Sequence, residues 1–86
     1  MPVAVEARRS PRYALHAELL IRSAGGIIPA QVIDVSREGM FIATHQPFAV
    51  GQSFEARLCL AQPLKVTCIV ARIVPDRGIG VRYVVT

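Results

Sequence analysis

From Tyr13 onward, apolar and polar residues alternate in short runs broken by glycine and proline. A β-strand sends successive side chains to opposite faces, so a period of two specifies strands with one face buried. In the first run Tyr13, Leu15, Ala17, Leu19 and Ile21 share one face, while His16, Glu18 and Arg22 share the other. Ser23-Ala24-Gly25-Gly26 supplies a turn, and a second strand is expected from Ile28 to Ile33. Pro29 near its start cannot donate to a ladder, which suggests an edge position or the first residues of the strand. A short third strand follows at Met40–Ala43. Phe54, Ala56, Leu58 and Leu60 mark the inner face of a fourth strand, and Leu64, Val66, Cys68 and Val70 that of a fifth, which can continue to Val74. Pro75-Asp76-Arg77-Gly78 reads as a turn, and Ile79–Val85 as a sixth strand. Six short strands without a helical pattern predict an all-β barrel or sandwich, and a barrel has the advantage of hiding its edges.

At 86 residues there is room for one domain. A hydrophobic fraction of 52% against 19% charged suits a folded globule rather than a disordered chain. No apolar run reaches the roughly 18 residues of a membrane span. The first residues put an apolar stretch before the basic one, the reverse of a signal peptide. A cytoplasmic location is therefore expected. Cys59 and Cys68 alternate onto opposite faces, so they are expected to be thiols rather than a disulfide. His16 and His45 have no partners at metal-ligand spacing, and no metal or cofactor is expected. Ser36 has no base partner and the chain has no nucleophile elbow, so an enzyme is not expected.

The net charge of +4 favours anionic partners. Residues 1–11 show no period and read as a flexible arm, with the barrel occupying 12–86. The arm leads into Arg8-Arg9-Ser10-Pro11-Arg12. Each guanidinium is a planar fork that fits phosphate oxygens, stacks on flat rings and matches the O6 and N7 acceptors of guanine. Such a run is also what a solvated basic tail looks like. Asp34-Val35-Ser36-Arg37-Glu38-Gly39 interrupts the apolar pattern between two strands and reads as a turn. A carboxylate there can accept from the N1 and N2 donors of a guanine edge, with a serine hydroxyl beside it. Gly39 permits positive φ or a close backbone approach. Plain Asx- and ST-turn chemistry accounts for the same residues equally well.

Taken together, Arg8-x-x-x-Arg12 followed by Asp34-x-Ser36-x-x-Gly39 resembles the PilZ domain family. Gly78-Ile79-Gly80-Val81-Arg82-Tyr83 is similar to the glycine-rich closing strand of that family, and Val66–Val74 fits the strand before it. The resemblance implies a six-stranded antiparallel Greek-key barrel that binds the bacterial second messenger cyclic di-GMP. It implies that Arg8 and Arg12 contact guanine and phosphate, that Asp34, Ser36 and Gly39 contact a guanine and frame the pocket, and that Arg9 is placed to supplement the phosphate contacts. Many members carry a C-terminal helix. None is expected here, so an output surface for a protein effector in motility, pilus or exopolysaccharide (biofilm) machinery is expected elsewhere. Ala7 precedes the motif where an arginine accompanies binding of a ligand dimer, which leans toward one ligand per domain. Two alternatives remain: a PilZ-like interaction module that does not bind the ligand, and a small basic barrel that binds nucleic acid. Against the second, the basic residues gather on the arm, with Arg57, Lys65 and Arg72 scattered.

Overall fold

In the computed structural model, which describes residues 11–84, the alternating runs become six strands. They are β1 (Tyr13–Ser23), β2 (Gly26–Val35), β3 (Gly39–Ala43), β4 (Ser53–Leu58), β5 (Leu64–Val74) and β6 (Gly78–Tyr83). The arm up to residue 10, with Arg8 and Arg9, lies outside the described residues, as does Val85 of the expected sixth strand. All pairings are antiparallel, and the sheet closes in the order β1-β2-β3-β6-β5-β4. β4 does not pair with β3. It crosses to lie between β5 and β1, while β3 returns beside β6. That is the long-connection return of a Greek key.

The alternation places the core where the sequence predicts. Leu19 and Ile21 on β1, Val32 on β2, Ile42 on β3, and Cys68 and Val70 on β5 are sealed from solvent. Phe54, Ala56 and Leu58 on β4 and Ile79 and Val81 on β6 complete the packing. Each such side chain stabilises the fold by about 1.5–3 kcal/mol. The crossing loop before β4 is pinned to β5: Gly51 N–H donates to the Val70 carbonyl (2.8 Å), and Val70 N–H donates to that of Gln52 (2.9 Å).

Several residues assigned inward by alternation lie outside the core. Tyr13 is 63% exposed. β1 meets β4 only from Leu19 to Arg22, so its first residues extend past the closed part of the barrel. Leu60 is exposed because β4 stops at Leu58; Cys59 N–H then donates to the Glu18 carbonyl (2.9 Å) and the chain turns away. Leu64, opposite Leu58 at the mouth of the β4–β5 connection, is also exposed. Pro29 lies where the sequence suggests. β3 covers β2 only from Gln31 to Val35, which leaves Gly26–Ala30 with β1 alone.

Cys59 is exposed and Cys68 buried, and both are free thiols. Burial pushes the Cys68 thiol up from 9.0 to about 11, since a thiolate there would lose its hydration. Native protein is expected to react with a thiol reagent at Cys59 and to protect Cys68 until it unfolds; labelling of both at equal rates in the native state would contradict this packing. The same shift carries a sign for stability. The neutral thiol is favoured in the fold, so its contribution is intact below about pH 9 and lost as pH rises toward about 11. Chemical denaturation midpoints measured across that interval should fall.

Candidate functional site

The placement of Asp34 depends on a break in the alternation. Val32 pairs with Ile42 and Asp34 with Phe41, so Ile33 has no partner on β3. Val32 and Ile42 are fully buried. Strict alternation from Val32 would aim Asp34 into the same apolar interior, and an unpaired carboxylate there costs several kcal/mol. The extra residue reverses the phase and turns Asp34 outward, in line with Phe41. A matching irregularity lies on the other side of β2. There Ala14 pairs with Asp34 and Ala17 with Val32, so Leu15 and His16 together oppose Ile33. Bulges of this kind bend a strand and re-aim side chains.

The expected turn over residues 34–39 is thus shorter than the sequence suggests. Asp34 and Val35 belong to β2, Gly39 belongs to β3, and Ser36, Arg37 and Glu38 make the connection. The register offered by β2 and β3 extends pairing up to Val35–Met40, which overrides the polar character of Asp34. Ser36 closes the connection: its N–H donates to the Gly39 carbonyl (2.8 Å), and its hydroxyl donates to the same oxygen (3.3 Å). The hydroxyl oxygen keeps its lone pairs for a further donor. Tyr83 N–H donates to the Glu38 carbonyl (3.0 Å) and ties the connection to β6.

Gly39 serves the close approach, not a positive φ. It pairs with Arg82, and a Cβ on Gly39 would overlap the Val81 carbonyl oxygen on the backbone of β6. β3 and β6 can meet there only if one of them carries no side chain.

Arg12 precedes β1, two residues before the partner of Asp34. Its Nε donates to Asp34 Oδ1 at 2.7 Å, and its Nη2 lies 2.5 Å from the same oxygen. Residues 22 apart in sequence are thereby joined. Both contacts fall on Oδ1, so Arg12 leaves Oδ2 unengaged. The two side chains are 46% and 30% exposed, which limits such a pair to about 0–1 kcal/mol of stability. Arg12 also acts on Tyr83, whose hydroxyl is pushed up by burial and by the nearby Cys68 while the arginine pulls it down.

The structure therefore brings Arg12, Asp34, Ser36 and Gly39 together on one outer face at the β2–β3 end of the barrel. Two concavities open on this face. One, of about 580 Å³, is lined by Asp34, Phe41, Arg72 and Arg77 among others. The other, of about 150 Å³, is lined by Arg12, Ser36, Gly39, Arg72 and Arg82 among others. A further depression lined by Leu20, Arg22, Ile27 and Lys65 contains none of the motif residues. Among the described residues no cluster of His, Cys, Asp and Glu could hold a metal ion, and no helix is long and apolar enough to cross a membrane.

Sequence reasoning missed two residues of this face. Phe41 was expected in core or rim packing, and Arg72 among scattered surface charges. Both stand in the transverse row that contains Asp34. The one available signal was Gly80, a residue without a side chain between Ile79 and Val81 in the last strand.

The family model for the PilZ domain matches residues 6–86. The chain belongs to the PilZ domain family, whose members are ligand-binding or adaptor domains and receptors of cyclic di-GMP. No curated protein matches it.

Two substitutions separate the residue that the barrel needs from the one that faces outward. Gly39→Ala should destabilise the barrel by about 2–3 kcal/mol, since the new methyl meets backbone rather than a movable side chain. Asp34→Ala should change stability by about 1 kcal/mol or less. Chemical denaturation of both variants checks the contrast, and equal losses would contradict the assignment.

Proposed function

We propose that this protein is a cyclic di-GMP receptor that folds its N-terminal arm over the outer face of the barrel when ligand binds, and so presents a new surface to a protein partner. The observation that carries this reading is the Arg12–Asp34 contact. It sets the last arginine of the first motif against the first residue of the second, beside Ser36 and Gly39. That contact supports reading the two motifs as parts of one site.

The chemistry follows from the inventory of groups. A guanine presents N1–H and N2–H on its Watson–Crick edge, and a carboxylate accepts both. Asp34 is turned outward, half-buried, and has Oδ2 clear of Arg12. Arg12 is a charged fork on the same face, suited to a phosphate or to the O6 and N7 edge of a base. Arg8, with Arg9 beside it, adds guanidinium groups from the arm. The ligand brings two phosphate charges and two purines, so the motif arginines gain both charge neutralisation and stacking. Ordering the arm lowers the net affinity, and it converts occupancy into a change of surface. A protein effector that reads this surface completes the role of an adaptor without enzymatic chemistry.

Calorimetric titration with cyclic di-GMP, with GTP and cyclic GMP as controls, tests the reading. Saturable binding of the cyclic dinucleotide alone is expected, with one ligand per domain in keeping with Ala7. Arg12→Glu should abolish that binding while thermal unfolding stays within a few degrees of wild type, because the exposed pair contributes little to stability. Wild-type affinity in Arg12→Glu would overturn the mechanism. No heat at tens of micromolar protein with wild type would favour the interaction module that does not bind the ligand.

A further inference from the structure

β5 carries a bulge that mirrors the one in β2. Val70 pairs with Val81 and Arg72 with Gly80, so Ala71 has no partner on β6. Val70 is buried, and strict alternation would send Arg72 into the core after it. The extra residue turns Arg72 outward instead. Both bulges thus deliver a charged side chain to one transverse row. Arg72 pairs with Gly80, Gly80 with Phe41, and Phe41 with Asp34.

Within this row Gly80 is the gap. A Cβ on Gly80 would lie 2.9 Å from Arg72 Nε and 3.1 Å from its Cγ. The arginine side chain lies across the bare glycine, and its guanidinium carbon comes to 5.8 Å from the centre of the Phe41 ring. Its length is thereby directed from β5 back over β6 toward β3, the neighbour of Asp34. Among the described residues Arg72 makes no ion pair. It lines the concavity that contains Asp34 and also the one that contains Arg12, Ser36 and Gly39.

A guanidinium held over an aromatic ring on one side can offer its other face to a ligand. Purines stack on such planes, and the positive charge adds to the attraction. We propose that Arg72, carried across Gly80 onto Phe41, is a ligand-contacting residue whose outer face is the stacking platform for a purine base of the cyclic dinucleotide. This inference rests on the receptor reading above and adds a base-stacking subsite to it. Asp34 takes the edge of a guanine, and Arg72 takes a base face. Gly80 is the positioning residue, since its missing side chain lets the arginine lie flat.

The test is calorimetric titration of cyclic di-GMP into wild type, Arg72→Ala, Arg72→Lys, Gly80→Ala and the Arg72→Ala/Gly80→Ala double variant, each with a thermal melt as a folding control. Arg72→Ala should weaken binding about tenfold or more, the usual scale for loss of one stacked base. Arg72→Lys keeps the charge and loses the plane, and should remain at least about fivefold weaker than wild type. Gly80→Ala should weaken binding through displacement of Arg72, and the double variant should be no worse than Arg72→Ala alone, because both act through one side chain. The Arg72 Nε–H resonance should shift on ligand addition through the ring current of the stacked base. Wild-type affinity in Arg72→Ala, within twofold, would overturn the inference while leaving the receptor reading intact. Full rescue by lysine would overturn stacking in favour of charge alone. Absence of cyclic di-GMP binding by wild type would overturn the receptor reading itself, and the subsite with it.

Discussion

The interior of a six-stranded barrel this small is filled by aliphatic side chains from every strand, and it has no place for an ionised group. That exclusion governs the face on which the motif residues meet. Wherever a polar residue falls on an inward beat of the alternation, either the register must slip or the strand must take an extra residue. A slip would turn a whole strand inside out and expose residues such as Val32 or Val70. The chain takes the extra residue instead, at Ile33 in β2 and at Ala71 in β5. Asp34 and Arg72 leave the core at the cost of a locally interrupted ladder, and both emerge on the outside of the same part of the sheet.

The rest of the face follows from backbone proximity. β3 sits against β6 at Gly39 because neither backbone has to make way for a side chain there. That contact holds the β2–β3 connection, already closed by Ser36, against the end of β6. Arg12 then reaches Asp34 across the top of β1. The energy of that contact is small beside the burial of a single core leucine. Its value is positional. A group that is weakly held but well placed is free to exchange one partner for another, unlike a buried structural ion pair.

The strands, their number and the identity of most core residues were legible in the sequence, because a period of two with half-buried faces has one structural meaning. Tyr13, Leu60 and Leu64 show where that reasoning ends. They keep the beat and are still exposed, since alternation says which way a side chain points and not whether another strand lies beyond it. The candidate site was legible as two motifs and illegible as a surface. Nothing in the order of residues says that Asp34 belongs to a strand rather than a turn, that Arg12 touches it, or that Phe41 and Arg72 share its row. A bulge is a relation between two strands and leaves little mark on either one alone.

By itself, then, the sequence determined an all-β chain, the inward and outward beats of its strands, and the order and spacing of the arginine and Asp-x-Ser-x-x-Gly motifs. These are local properties, set by side-chain chemistry and the two-residue repeat of an extended backbone. Only the tertiary structure decided that β4 crosses to lie between β5 and β1, that Gly39 is needed for contact with β6, and that Asp34 and Arg72 stand outside on one row. Those outcomes depend on which strands pair and in what register, and register is settled by the shared burial of six strands at once.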